Sequence, residues 1–293
     1  PKPSSAASDV YKRQELKKRS GETSKKVEQT VSEIIENVKE NGDKAVKDYT
    51  LKFDGSLPEY YEVPRDVIND ALDEAEQEFV DALLNAMENI ADFHNRQREQ
   101  GFINPKENGV ILGQRIRGLE RVGLYVPGGT AAYPSSVLMN AIPAKIAGVK
   151  EIIMVTPPCK DGTPNKDILV AAAICGVDRV FLSGGAQAIA ALAYGTELIP
   201  KVDKIVGPGN IYVATAKKLL YGVVDIDMIA GPSEILVLAD ETANPKFAAA
   251  DLMSQAEHDV LASSILVTTS EKIADETIKE IERQVQTLSR KDI

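Results

Sequence analysis

Only two cysteines, Cys159 and Cys175, occur among the 293 residues, too few for a disulfide framework or a thiolate metal site. They suit a reducing compartment, and a cytoplasmic address is expected. Histidine is as scarce, with His94 and His258 alone, so a complete zinc site must take further ligands from other residue types. An excess of positive charge is also missing. The net charge is -10, with acidic and basic side chains interleaved, which leaves no basic footprint for nucleic acid or an anionic membrane surface. The longest apolar stretches, such as Ile168 to Cys175, fall far short of the roughly 20 residues a bilayer crossing needs.

What is present is apolar material for a core, 43% of the chain, in several textures. Residues 1–14, PKPSSAASDVYKRQ, differ from all that follows and have no apolar stretch of signal-peptide type. They are expected to be a non-native tail on a fragment. From Thr23 to about Gln100 the pattern is helical. Val27, Val31, Ile34, Ile35 and Val38 recur at spacings of three and four, and a second run, Val67 to Phe93, is opened by Pro64.

After Gly109, short β-branched runs alternate with Ala-rich helical segments. The expected strands are 110–112, 122–126, 152–156, 180–182, 204–206, 226–229, 235–238 and 264–268. Crossover connections of this kind imply an α/β fold with open, mainly parallel sheets and helices on both faces. The expected domains are 15–120 with 235–293, and 121–234.

Four glycine-rich turns follow strands: Val126-Pro127-Gly128-Gly129-Thr130, Ser183-Gly184-Gly185-Ala186-Gln187, Val206-Gly207-Pro208-Gly209-Asn210 and Ala230-Gly231-Pro232-Ser233-Glu234. Such turns either close short connections or let backbone N–H groups and a helix N-terminus approach a phosphate. Four in succession favour a nucleotide site, although none is the usual dinucleotide fingerprint. On the helix expected from Pro245, Gln255 and His258 stand three apart and share a face, a possible pair of zinc ligands but not a site by themselves. His94 is expected to be an exposed helix residue. Cys175 reads as a small buried hydrophobe, and Cys159 as a turn residue with no histidine beside it.

Long motifs carry a closer likeness. GLYVPGGTAAYPSSVLMNAIPAKIAGV from Gly123, SGGAQAIAALAYGTE from Ser183, VDKIVGPGNIYVATAKKLLYG from Val202, DMIAGPSEILVLAD from Asp227 and ADLMSQAEHD from Ala250 resemble, in order, the signature blocks of the histidinol dehydrogenase family. The resemblance runs from about Leu16 onward. It implies an aldehyde-dehydrogenase-like pair of incomplete Rossmann-like domains. It also implies a homodimer that oxidises L-histidinol to L-histidine through histidinaldehyde, with two NAD and one zinc.

Tyr125, Gln187 and Asn210 match the family's NAD-contacting positions. Ser233, Gln255 and His258 match substrate positions, and Gln255 and His258 also match zinc ligands. The family's catalytic histidine and glutamate, with further zinc ligands, are expected downstream of Ile293, so the fragment is expected to be inactive. Two rivals are a thioester mechanism on one of the cysteines and a binding module that retains the glycine loops without chemistry.

Overall fold

The computed structural model describes residues 25–128, 132–229, 233–257 and 262–288. Its described residues divide by contacts into two units, a larger one up to Ile229 and a smaller one from Ser233 onward. Residues 25–120 thus fall in the larger unit and not with 235–293.

In the larger unit five strands form one all-parallel sheet: β3 (Arg121–Tyr125), β4 (Glu151–Thr156), β5 (Arg179–Leu182), β6 (Lys204–Val206) and β7 (Asp225–Ile226), in the order β5-β4-β3-β6-β7. The chain moves outward in one direction from β3, returns, and moves outward in the other. The order therefore reverses between β3 and β6, which makes their carboxyl ends a topological switch point. Strand residues alternate between two cores. Tyr125, Ile153, Val155, Phe181 and Ile205 join one, while Val122, Leu124, Ile152, Met154 and Leu182 join the other. This is the period-2 consequence of burying a sheet on both faces.

Helices cover each face. The first core is closed by α1 (Lys25–Asp54), α6 (Gly185–Tyr194) and α7 (Ile211–Leu220). The second is closed by α2 (Arg65–Asp73), α3 (Gln77–Asn95), α4 (Pro134–Ile146) and α5 (Lys166–Cys175). Val31, Ile34, Ile35 and Val38 are the buried stripe of α1, as their spacing predicts, and Gly42 interrupts the helix with φ 53°. In α6 every residue from Ala186 to Ala193 is buried, so only small and apolar side chains plus Gln187 fit there.

Three expectations about elements need correction. The run 67–93 is two helices, broken at 74–76, because α2 packs on α5 while α3 packs on α4. The expected strand 226–229 is only Asp225–Ile226, because the Asp227 carboxylate turns back to accept from the Gly207 and Met228 N–H groups at 2.8 and 2.6 Å. A strand missed in the sequence, β1 (Phe102–Pro105), pairs antiparallel with β2 (Ile111–Gln114) as a hairpin with all eight residues exposed.

The smaller unit is a βαβα arrangement: β8 (Glu234–Ala239), α8 (Pro245–Ala256), β9 (Ser263–Thr268) and α9 (Glu271–Gln284). The two strands are parallel and both helices pack on one side. Asn244 caps α8 by accepting from Lys246 N–H, and Ser270 caps α9 by accepting from Ile273 N–H. Leu236, Leu238, Ile265 and Val267 stand on the strands' exposed positions.

Candidate functional site

The switch point is built from three turns. After β3 runs Val126-Pro127-Gly128, after β5 Ser183-Gly184-Gly185, and after β6 Gly207-Pro208-Gly209-Asn210. Local packing accounts for several of the glycines. A Cβ on Gly184 would stand 2.6 Å from Pro157 Cγ at the end of β4. Gly207, at φ 113°, presses on the Tyr125 carbonyl, and a Cβ there would collide with it. Close packing of the loops is thus one reason for the glycines, and a ligand has to be argued from other groups.

Tyr125 and Gln187 come together. The Tyr125 side chain is 3% exposed, and its hydroxyl accepts a hydrogen bond of 3.0 Å from Gly185 N–H at the first turn of α6. Burial pushes this phenol up to about 12, the Gly185 bond opposing the shift and the charge of Asp54 adding to it, so it stays protonated and neutral. Gln187 follows in the same turn at 1% exposure, with its Oε1 lacking a partner, as does Oγ of fully buried Ser183. Buried polar atoms are nearly always satisfied, so these two beside a switch point have hydrogen-bonding capacity that a ligand can meet.

Asn210 sits on the adjoining turn, exposed, and its Oδ1 caps α7 by accepting from Tyr212 and Val213 N–H at 3.0 and 3.2 Å. Its structural duty leaves the side-chain amide N–H groups for other partners.

A clamp unseen in the sequence reading holds this turn. Lys217 is 2% exposed on the buried face of α7, donates to the Gly207 carbonyl at 2.9 Å and pairs with Asp227. Asp227 in turn accepts from Gly207 N–H. Both backbone groups of Gly207 are thereby fixed. The available signal was Lys217 itself, a lysine in line with Val213 and Leu220 on a core stripe, which requires a buried partner.

In the smaller unit, Ser233 is exposed just before β8 and Gln255 lies half-buried at the end of α8. They share one end of the two-stranded sheet: Glu234 is in register with Ser263, and Ser264 Oγ donates to Leu252 O at 2.7 Å, one turn before Gln255. His258 lies outside the described residues, as do Gly129, Thr130 and Ala230 to Pro232. Among the described residues no three His, Cys, Asp or Glu side chains group to hold a metal.

His94 is partly rather than fully exposed, with Nδ1 2.7 Å from Gln97 Oε1. Burial pushes the Cys175 thiol up to about 12, which removes it as a thiolate nucleophile. Cys159 is half-exposed in its turn, its N–H donating to Thr163 O.

With this geometry in place, kinship can be assigned. The family model described as histidinol dehydrogenase matches residues 17–293. The chain belongs to the histidinol dehydrogenase family. The histidinol dehydrogenase of Clostridium acetobutylicum is 61% identical over 280 residues, 96% of this chain and 65% of that protein. That of Listeria innocua is 58% identical over 274 residues, 94% of this chain and 64% of the relative. The crystal structure of histidinol dehydrogenase from Elizabethkingia anophelis aligns with a TM-score of 0.85 at 44% identity, covering 90% of this chain and 61% of that one. The chain therefore spans less than two thirds of the length of these members. No described helix is long and apolar enough to cross a membrane.

Proposed function

We propose that the intact protein is an NAD-dependent histidinol dehydrogenase that oxidises L-histidinol to L-histidine in two steps, in the cytoplasm and as a homodimer. The observation that carries this reading is the convergence, in a member of that family, of three glycine turns and two orphaned buried polar side chains on the switch point of a 3-2-1-4-5 parallel sheet.

The residues fit a dinucleotide. The N-termini of α6 and α7 offer backbone N–H groups and partial positive charge to a pyrophosphate, Gln187 Oε1 awaits a donor, and Asn210 has amide N–H groups to give. When bound, NAD accepts hydride and zinc acts as a Lewis acid at the substrate. Tyr125 is a neutral phenol that holds the first turn of α6 in place. The Lys217–Asp227 clamp fixes the Gly207 turn, so the backbone facing the cofactor is set before binding. Gln255 with His258 would hold zinc, and Ser233 would orient the substrate beside them.

The acid and base that move the hydroxyl proton and activate water are assigned to residues downstream of Ile293. The 293-residue chain alone is accordingly inactive. The test is NADH formation from L-histidinol by this chain extended with a relative's C-terminal part, with and without a zinc chelator. Chelator-sensitive NADH supports the reading. A folded, zinc-loaded dimer that forms none overturns it, and turnover by the 293 residues alone overturns the placement of the catalytic residues.

A further inference from the structure

The orphaned atoms extend beyond Ser183 and Gln187. Asp54 Oδ2 and Ser56 Oγ, where α1 ends, and Tyr61 Oη just beyond them are also sealed from solvent with no hydrogen-bond partner. The two sets are neighbours. The segment after α1 is laid against β5, with Leu182 N–H donating to Tyr61 O at 2.7 Å and Val63 N–H to Val180 O at 2.8 Å. The charge of Asp54 is felt at the Tyr125 hydroxyl, which is itself bonded to Gly185. Five unpartnered polar atoms thus collect beside the β3 to β5 half of the switch point. Desolvation pushes the Asp54 carboxyl up to about 6, as expected of an acid with one oxygen denied both water and a partner.

The chemistry of this set selects its ligand. Gln187 Oε1 only accepts hydrogen bonds, ionised Asp54 only accepts, and the two serine hydroxyls and the Tyr61 phenol do either. A phosphate supplies acceptors and negative charge, so it does not suit. A sugar diol supplies two O–H donors and does. In doubly wound folds an acidic side chain takes the ribose hydroxyls, commonly near the end of the second strand. That strand is β4, and the carboxylate in the turn after it, Asp161, is exposed with its Oδ1 already accepting from Thr163 N–H and Oγ1.

We propose, on the dinucleotide reading above, that Asp54 is the carboxylate that receives the adenosine ribose hydroxyls, with Ser183 and Gln187 completing the acceptor set. The segment 56–60 lifts to admit the sugar. Between Ser56 and Tyr60 no backbone hydrogen bond is made among the described residues, and Gly55 at φ 82° with open space around it provides the pivot. The same carboxylate repels a 2′-phosphate, which sets the preference for NAD over NADP.

The test is calorimetric binding of ADP-ribose and of its 2′-phosphate to the 293-residue chain and to Asp54→Asn, with the ligand-free melting temperature of both. Wild type is expected to favour ADP-ribose. Asp54→Asn should weaken ADP-ribose by about tenfold, the usual loss with one charged hydrogen bond, and narrow its advantage over the 2′-phosphate. Its ligand-free melting temperature should be unchanged or higher, since an unpartnered buried charge is gone. Equal binding by Asp54→Asn overturns the assignment while leaving the dinucleotide reading intact. A lower ligand-free melting temperature together with loss of both ligands shows a structural role and also overturns it. If folded wild type binds neither ligand, the dinucleotide reading falls and takes this assignment with it.

Discussion

The two ends of the five-stranded sheet are built on opposite terms. At the amino ends of the strands polar groups find partners from neighbour to neighbour. Asp203 accepts from Glu120 and Arg121 N–H, and Asp178 from Ile152 N–H at 2.7 Å. Arg121 pairs with Glu151 at 2.6 Å, Glu151 lies 3.9 Å from Arg179, and Arg179 forks onto Glu62 through two bonds of 2.7 Å. At the carboxyl ends stand glycines in close contact, a buried lysine held by one aspartate, and polar atoms with no partner. One end is a seam that holds the sheet together. The other retains unmet hydrogen-bonding capacity that a ligand can meet.

Substitutions can sharpen the contrast. The largest effect is expected from Lys217→Met, which leaves Asp227 without its cation and frees the Gly207 carbonyl. Urea unfolding should show a loss of about 3 kcal/mol, with dinucleotide binding lost as well. Gly207→Ala comes next, because its φ of 113° and the Tyr125 carbonyl both oppose a side chain. It should lower stability by about 2 kcal/mol, seen as a drop in melting temperature.

A third test uses pH. The folded pKa of Asp54, about 6, lies above its ordinary 3.8, so between these values the native state holds a proton that the unfolded state has released. This group's share of stability is therefore present at low pH and lost as pH rises through 6. The loss should be about 1 kcal/mol once screening at a partly exposed side chain is allowed for. It appears as the difference between wild-type and Asp54→Asn stabilities measured from pH 4 to pH 7. The smallest effect belongs to the seam: Arg179→Ala removes a half-exposed fork worth about 0.5 kcal/mol, should be muted by salt, and should leave ADP-ribose binding unchanged. A large loss of binding from that change would break the division between the two ends.

Much of this architecture was legible in the residues. The strands from Val122 to Val206 and the turns after them could be read because β-branched runs bounded by glycine have few alternatives, and the Val27 to Val38 stripe because one face of α1 is buried. Strand 102–105, and with it the hairpin onto the expected strand near 111, escaped because both strands are exposed on all their residues and show no apolar alternation. The helix break at 74–76 escaped because neither Gly nor Pro marks it; the divergence of two packing partners causes it. Tyr125, Gln187 and Asn210 could be named as candidates through their motifs. Asp54, Ser183, Lys217 and Asp227 were not, since their meaning lies in burial and in partners, or the lack of them, which no local pattern carries.

The sheet face formed by Leu236, Leu238, Ile265 and Val267 has a practical consequence. Leu238 is 77% and Leu236 61% exposed, on two adjacent strands in parallel register. An apolar surface of this kind seeks cover wherever it can be found. Concentration more than temperature is then expected to set the lifetime of the 293 residues in solution, with hydrophobic-dye binding in dilute samples and association on concentration as the signs to look for.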